Sequence, residues 1–490
     1  MEPHVLISGA GPTGLLLAAD LARRGVPFRI VEKSPQPSQL SRAIAVHART
    51  LEILRDLGCA TDLCERGIPL RRVRFFRKGE VMVDVDFGQL DTAFPYLLCV
   101  HQTETEAVLA ATVQRHGGQI ERGVRYAAMT QDEGGVTSTV VHPDGREEQI
   151  RSAWLVGCDG SHSQVRKDAG LEFSGAAFAE DLWLVDCRLT DPGVPRDGLS
   201  SFFAPSGFMA CFPMKGDRVR LLCTAPQEAE DGYEPVVEDL RAVWNDRSHF
   251  GGELIDDIWT ARFKIHARQV STYRNGRVLV AGDAAHIHSP VGGQGMNTGL
   301  QDAHNLGWKL AHAYHGGADL IDSYVSERHA LGQRLLLGTD IATRIGTWRN
   351  PILRAIRDAT ARLGSTLAPV QQVALRGLAE LDVNYRGSAI VGGSRKFITG
   401  LRPGDRAPDL EGRISGLTWT VLLVGGSASF ADLAARVQAR FENVSIHFQS
   451  SGTEGIFVIR PDLYVGWRGR PEDGDALLAH LGGHIDPSLS

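Results

Sequence analysis

Short apolar runs of strand length recur along the chain, and several pass directly into a glycine-rich turn and then a segment of helical period. His4-Val-Leu-Ile-Ser8 enters Gly9-Ala-Gly-Pro-Thr-Gly14, and Leu15-Leu-Leu-Ala-Ala-Asp-Leu-Ala22 follows as a strong helix former. Arg23-Arg24-Gly25 places cations in the last turn and a glycine just past it, the usual stop. Phe28-Arg-Ile-Val31 predicts a second strand that ends at Glu32. Trp154-Leu-Val-Gly-Cys-Asp-Gly160 and Arg277-Val-Leu-Val-Ala-Gly-Asp283 predict two more strands, each ending in an Asp and a Gly. Between them, Leu182–Leu189 and Arg218–Cys223 alternate or run apolar as strands, with Ser201–Phe212 in the interval. A helix is predicted over 298–309, and helical stretches continue to about residue 380, including Asp322–His329.

Arg386–Ser394 breaks the pattern and reads as a linker. Arg402-Pro-Gly-Asp-Arg-Ala-Pro408 then opens a last unit. Its predicted strands are Trp419–Val424, Val444–Phe448 and Gly455–Arg460, with an amphipathic helix over Phe430–Phe441. No internal repeat or low-complexity tract is present.

The first motif has the chemistry of a nucleotide clamp. Gly9 permits a tight turn, Gly11 lets the backbone approach a pyrophosphate, and Gly14 lets helix and strand pack closely. The helix start offers amide hydrogens and a positive dipole end to phosphates. Glu32 is placed to accept hydrogen bonds from ribose hydroxyls. On this motif alone NAD and FAD are equal candidates. Asp159-Gly160 and Gly282-Asp283, each at the end of a strand, put further polar groups at the edge where parallel sheets bind ligands. Asp283 would accept from a ribityl chain, and the helix after the Gly-rich stretch 284–297 would aim its amides at the pyrimidine end of a flavin.

Taken together, Gly9-x-Gly11-x-x-Gly14, Asp159-Gly160, Gly282-Asp283, Pro290 and Gly293-Gln-Gly295 resemble the class A FAD-dependent aromatic monooxygenases, of which p-hydroxybenzoate hydroxylase is the archetype. The stretches Arg268–Arg277, His288-x-Pro290-x-Gly-Gly-Gln-Gly-Met-Asn297 and Gln301-Asp-Ala-x-Asn-Leu-Gly-Trp-Lys-Leu310 look closer to the aromatic polyketide and phenol hydroxylase branch. The resemblance implies an α/β fold with a Rossmann-like FAD-binding domain (1–180 and 270–390), a β-sheet substrate domain (181–269, with 70–100 contributing), and a thioredoxin-like domain over 400–490. Tyr464-Val-Gly-Trp467 matches the final strand of that tail, which contains no cysteine.

By the same resemblance, FAD contacts fall on Gly9, Gly11, Pro12, Thr13, Gly14, Glu32, Lys33, Arg42, Gln102, Asp159, Asp283, Pro290, Gly293, Gln294, Gly295, Met296 and Asn297. Arg42 and Pro290 would lie beside the reactive part of the flavin, and the loop from Arg42 to Arg49 would be a mobile wall. NADPH or NADH would reduce FAD transiently, and O2 would form a flavin C4a-hydroperoxide that hydroxylates a phenolic, polycyclic polyketide-type ring. Phe202, Phe203, Phe208, Met209 and Phe212 are candidates for the substrate wall, with Phe75, Phe76 and Tyr96 as alternatives. Within the fold the rival is a Baeyer–Villiger oxygenase acting on a polyketide ketone. From other classes the rivals are a non-catalytic flavin-binding protein and a plain NAD-binding protein. A flavin halogenase is disfavoured by the lack of Trp-x-Trp-x-Ile-Pro.

Bulk properties change this picture little. At 490 residues the chain is too long for one compact core. A composition of 43% hydrophobic and 22% charged residues with net charge −6 offers no electrostatic footprint for nucleic acid. No apolar run approaches a membrane span, and Met-Glu-Pro-His enters a strand without a secretory signal, so a cytoplasmic protein, monomer or homodimer, is expected. The seven cysteines, at 59, 64, 99, 158, 187, 211 and 223, lack paired spacing; reduced structural thiols are expected, and no metal site.

Overall fold

The structure is a computed structural model that describes residues 2–39, 41, 43–190, 193–226, 229–230, 232–288, 292–346, 348, 350–365, 367–394, 397, 399–407, 412 and 414–485. Val5–Ser8 is central in a six-stranded sheet, with Trp154–Gly157 on one side and Phe28–Glu32 on the other. Val278–Val280 pairs beyond Trp154–Gly157 and Ile120–Arg122 beyond Phe28–Glu32, all in parallel, and Arg274–Asn275 closes one edge antiparallel. Val5–Ser8, Trp154–Gly157 and Val278–Val280 are buried at every residue, which is why they read as unbroken apolar runs. Helix α1 (Pro12–Arg23) crosses between Val5–Ser8 and Phe28–Glu32, and helix α2 (Ala48–Asp56) follows the short strand Ala45–Val46.

An eight-stranded sheet forms the second layer, in the order His286–Ile287, Leu254–Val270, Phe173–Leu189, Arg218–Thr224, Gly207–Pro213, Gly198–Ala204, Arg72–Arg77, Glu80–Asp86. It starts at Phe173 rather than at 181, and two strands of 17 residues, Phe173–Leu189 and Leu254–Val270, pair along their length. Both of its faces are covered. On one face Trp183, Val185, Phe202, Met209 and Leu221 pack against Leu240, Val243 and Trp244 of helix α3 (Val237–Arg247). On the other, Leu182, Leu184 and Leu222 meet Phe212, Trp259 and Phe263. Phe75, Leu199 and Phe212 there pack with Ile44, Ala45, Leu97 and Cys99 of the unit that carries the Gly9–Gly14 loop.

Helix α4 (Gln294–Tyr314) is buried along most of its length and packs on α1. It starts at Gln294 rather than Thr298: Gly293, at φ 67°, ends the Gly-rich stretch as a left-handed N-cap, and Gly295 is accepted in the first turn. Helix α5 (Ile321–Gly346) packs on α4, and helix α6 (Ala368–Leu378) brings Leu375 to the core between the two sheets.

The C-terminal unit is a five-stranded sheet ordered Gly392–Gly393, Val465–Gly469, Gly455–Ile459, Trp419–Val424, Val444–Gln449, with helices Phe430–Arg440 and Gly474–His484. The glycine-rich stretch that reads as a linker is therefore partly structured, since Gly392 and Gly393 pair with Trp467 and Arg468. All seven cysteines are free thiols, and all but Cys64 are buried. Among the described residues no helix is long and apolar enough to cross a membrane.

Candidate active site at the carboxyl edge of the parallel sheet

Val278–Val280, Trp154–Gly157 and Val5–Ser8 are consecutive neighbours and run parallel, so the loops that follow them leave from one edge. Gly282-Asp283, Asp159-Gly160 and the Gly9–Gly14 loop are thereby brought together from distant parts of the chain. Their packing is tight. A Cβ at Gly9, where φ is 105°, would lie 2.4 Å from the Cys158 carbonyl oxygen, and one at Gly14 would lie 2.0 Å from that of Gly9. Thr13 fills the gap between the Gly-Asp turn and α4: its Oγ1 would lie 2.5 Å from a Cβ at either Gly282 or Gly299.

Gly11 is different, because a Cβ there would meet nothing within 4 Å. It is also the N-cap of α1, and no side chain caps that helix. Gly293 likewise begins α4 without a side-chain cap. Both helix starts thus present amides with no side-chain cap; the one at Gly11 faces the open space of a cradle, whereas a Cβ at Gly293 would lie 2.9 Å from that of Ala45, and such helix starts suit a pyrophosphate and a flavin ring. Glu32 stands at the rim, half-buried, accepting from the Ala10 amide at 2.9 Å through Oε2 and from the Ser34 amide at 2.9 Å through Oε1. Asp283 is exposed at the tip of its turn, and Pro12, Thr13, Gln294, Gly295 and Met296 are half-buried around the cradle. These residues fit FAD.

Other sequence candidates have structural partners. Asp159 caps the short helix Gln164–Asp168, bonding Ser163 Oγ and accepting from the Gln164 and Val165 amides at 2.8 and 3.2 Å. Gln102 accepts from the Ala43 amide at 3.2 Å and donates to Glu106 at 2.8 Å, so its side chain braces the loop before Ala45. Lys33 is exposed. Arg42 and Pro290 lie outside the described residues. Of the substrate-wall candidates, Phe203, Phe208 and Phe212 share one face of the sheet; Phe212 packs there with the unit that carries the motif loops, while Phe203 has Phe75 stacked on it at 5.8 Å and Arg357 at 4.3 Å over its ring. Phe202, Met209 and Phe76 are a correction: alternation sends them to the opposite face, buried against α3 and its neighbours.

A buried polar core that single residues in the sequence did not reveal supports the Gly-Asp turn. Asp302 of α4 accepts from the Gly282 amide at 3.1 Å and bonds His286 Nε2 at 2.7 Å through Oδ2. Its Oδ1 takes Arg328 Nε at 2.6 Å, and Arg328 also donates to the Thr298 carbonyl at 3.0 Å and the Tyr385 hydroxyl at 3.1 Å. Burial alone would raise the Asp302 carboxyl, but Arg328 and His286 hold it below its usual value. His286 is thus a structural partner of Asp302 and no free acid or base. The one local signal for this core is a charged residue in the middle of a helix that is otherwise buried.

His47 forms the facing wall. Its amide donates to Asn297 Oδ1 at 3.0 Å, its Nε2 meets the Gly292 carbonyl at 2.9 Å, and Asn297 Nδ2 returns to the Ala45 carbonyl at 2.9 Å. Burial pushes the imidazole down to about 4, with the glycine carbonyls opposing, so the ring is neutral. The wall is consequently anchored from Ala45 onward, and Arg49, at 1% exposure, belongs to buried structure and not to a mobile loop.

A family model described as an FAD binding domain matches residues 2–339. The 6-methylpretetramide 4-monooxygenase of Streptomyces rimosus is 33% identical over 98% of this chain and 93% of its own length. The chain belongs to the FAD-dependent aromatic monooxygenases. Among solved structures, this monooxygenase is similar to the anhydrotetracycline hydroxylase OxyS from Streptomyces rimosus, with a TM-score of 0.82 and 30% identity over 99% of both chains. It is also similar to the Diels-Alderase PyrE3 of pyrroindomycin biosynthesis, with a TM-score of 0.76 and 28% identity over 99% of both chains.

Glu380, just past α6, gives the monooxygenase a pH-dependent stability. Its buried carboxyl accepts from Gln301 Nε2 of α4, and burial pushes it from 4.5 up to about 8, Arg328 opposing. The folded state holds a proton that the unfolded chain releases near 4.5, so this group's contribution to stability falls as pH rises from about 4.5 to about 8. Glu380→Gln keeps an acceptor for Gln301 and is expected to flatten the decline of melting temperature across that window. An unchanged decline would assign it to other groups.

Proposed function

We propose that this monooxygenase hydroxylates a polycyclic, polyketide-type phenol, with FAD as cofactor, NADPH or NADH as transient reductant and O2 as oxygen source. The observation that carries the reading is the aromatic and aliphatic sheet face (Leu182, Leu184, Phe203, Phe208, Phe212, Leu222), which at Phe212 packs with the unit that bears the motif loops. Bound FAD would supply the redox and oxygen chemistry. The chain's part is to hold the cofactor through Gly11, Asp283 and the two helix starts, to bury an apolar ring against that face, and to exclude water. The start of α4 would stabilise negative charge on the reduced ring system by about 0.3–2 kcal/mol. Relatives named for tetracycline-type substrates favour several fused rings over a single carboxylated one. We read the C-terminal unit as thioredoxin-like in outline, serving as support, since it has no cysteine.

The test is NADPH and NADH consumption by the flavin-loaded protein under air, with a panel of phenols and naphthacenequinones, followed by product mass. Stimulated consumption with a ring hydroxyl added is expected. A ring-expanded lactone would instead mean Baeyer–Villiger insertion, and a cyclised product of unchanged mass would overturn oxygenation. Phe212→Ala should raise KM for the best substrate by roughly tenfold, the scale of one lost aromatic contact in an apolar site. Met209→Leu, on the opposite face, should leave KM alone. Equal effects of the two would remove this sheet face from the substrate site.

A further inference from the structure

We propose that the C-terminal turn Arg460–Tyr464 is a positioning element for the flavin site, acting through Arg49 on the wall made by His47, Gly292 and Asn297. The proposal rests on the FAD reading above.

The wall lies where the start of α2 meets the start of α4, and the same distant turn grips α2 at its start, through Arg49, and α4 midway along, through Asn305. Arg49, two residues beyond His47, donates from Nη2 to the Asp462 carbonyl at 2.8 Å and lies 4.7 Å over the Tyr464 ring. Its amide donates to the Ala379 carbonyl at 3.2 Å, and its Nη1 to Glu52 at 2.9 Å. Arg406, also from the C-terminal part, reaches the same Glu52 at 2.7 Å. On the other side, Asn305 of α4 donates to Asp462 Oδ2 at 3.2 Å and to Glu327 at 2.8 Å. Lys309, one turn on, donates to Glu327 at 2.8 Å, and Arg460 forks onto Glu327 at 2.6 and 2.9 Å while bonding Asp462 Nε to Oδ1 at 2.9 Å.

Every charged group in this junction is nearly sealed from water: Arg49 and Asp462 are 1% exposed and Arg460 0%. Apolar side chains would join two units as firmly, because desolvation offsets most of the gain from buried charges. What directional, charge-assisted bonds add is a single register. Here that register sets the spacing between α2 and α4, and with it the reach from the His47 imidazole to the Gly292 carbonyl. A wall that wanders lowers the fraction of protein competent to bind, and apparent affinity falls by that fraction.

The experiment titrates apo-protein with FAD, read by quenching of flavin fluorescence, at a temperature where circular dichroism shows each variant folded. Arg49→Met removes the grip on α2, and Tyr464→Leu weakens it by taking away the ring beneath the Arg49 guanidinium. Val458→Ala hollows the C-terminal core, where Val458 is fully buried, and leaves the grip intact. Arg49→Met is expected to weaken FAD binding by roughly tenfold, the result of a competent fraction near one tenth. Tyr464→Leu should shift in the same direction, and Val458→Ala should melt lower yet bind FAD as wild type does. If Arg49→Met does not fold, Tyr464→Leu decides. Wild-type affinity in both grip variants would overturn the proposal, and so would an equal loss in Val458→Ala. Failure of the wild-type protein to bind FAD would sink the cofactor reading itself, and the proposal with it.

Discussion

Gly11→Asp is expected to fold, to be at least as stable as the wild-type protein, and to purify without colour. The backbone at Gly11, φ −76° and ψ −177°, suits any residue, and a Cβ there meets nothing within 4 Å. Aspartate is also among the best N-cap residues, worth roughly a few tenths of a kcal/mol over glycine, and α1 has no side-chain cap of its own. Yet the same carboxylate would occupy the cradle where a pyrophosphate must lie. Two like charges about 4 Å apart repel by about 4 kcal/mol near a protein surface, which corresponds to roughly a thousandfold loss of affinity. Gly14→Ala provides the contrast. Its Cβ would fall 2.0 Å from the Gly9 carbonyl oxygen, so α1 must shift and stability should drop along with FAD binding. The pair is resolved by comparing melting temperature with the flavin absorbance per protein. A yellow, fully loaded Gly11→Asp protein would move the cofactor away from this loop.

Arg328→Met should cost about 3–5 kcal/mol of folding stability, the range for breaking a buried ion pair from one side. Asp302 and Arg328 are both fully sealed, and with the guanidinium gone the carboxylate keeps only the His286 ring and the Gly282 amide. The Thr298 carbonyl and the Tyr385 hydroxyl lose a donor as well. Adding Asp302→Asn to the variant should recover part of the loss, because the uncompensated charge goes too; denaturant titration of the wild type, each single variant and the double variant measures that coupling. A cost under about 1 kcal/mol for the single variant would show the pair to be dispensable and the Gly-Asp turn to be held by packing alone.

Whether a feature could be read from the sequence depended on how far its cause extends along the chain. The Gly9–Gly14 loop, the Gly-Asp turn and the order of the motif strands have local causes: a turn that needs positive φ, a close helix approach, an apolar run. The sequence pattern puts the start of α4 four residues late, because two consecutive glycines look like a helix breaker, whereas Gly293 in the left-handed region is a helix beginning. Period-two alternation correctly separates Phe203 from Phe202, but it cannot say which face meets the cofactor when α3 covers one side and the FAD-side unit the other. Gly392 and Gly393 look like linker because a two-residue edge strand needs only backbone. Asp302 with Arg328, and Arg49 with Asp462, were beyond reach, since each charge is balanced only by a residue that folding brings from elsewhere.

The strand order of the parallel sheet also dictates a timetable for making the protein. Of three adjacent strands, Val5–Ser8 leaves a ribosome before its neighbour Trp154–Gly157, and the strand beyond, Val278–Val280, comes later still. At synthesis rates of about 5–20 residues per second, roughly 15–55 s separate the first of these strands from the last. The central strand has an open apolar edge until Trp154–Gly157 emerges, that strand has one until Val278–Val280 follows, and until then no complete pocket exists to recruit a flavin. Nascent chains released before α4 emerges should therefore be colourless and dependent on chaperones, whereas cofactor capture becomes possible only once α4 has docked on α1.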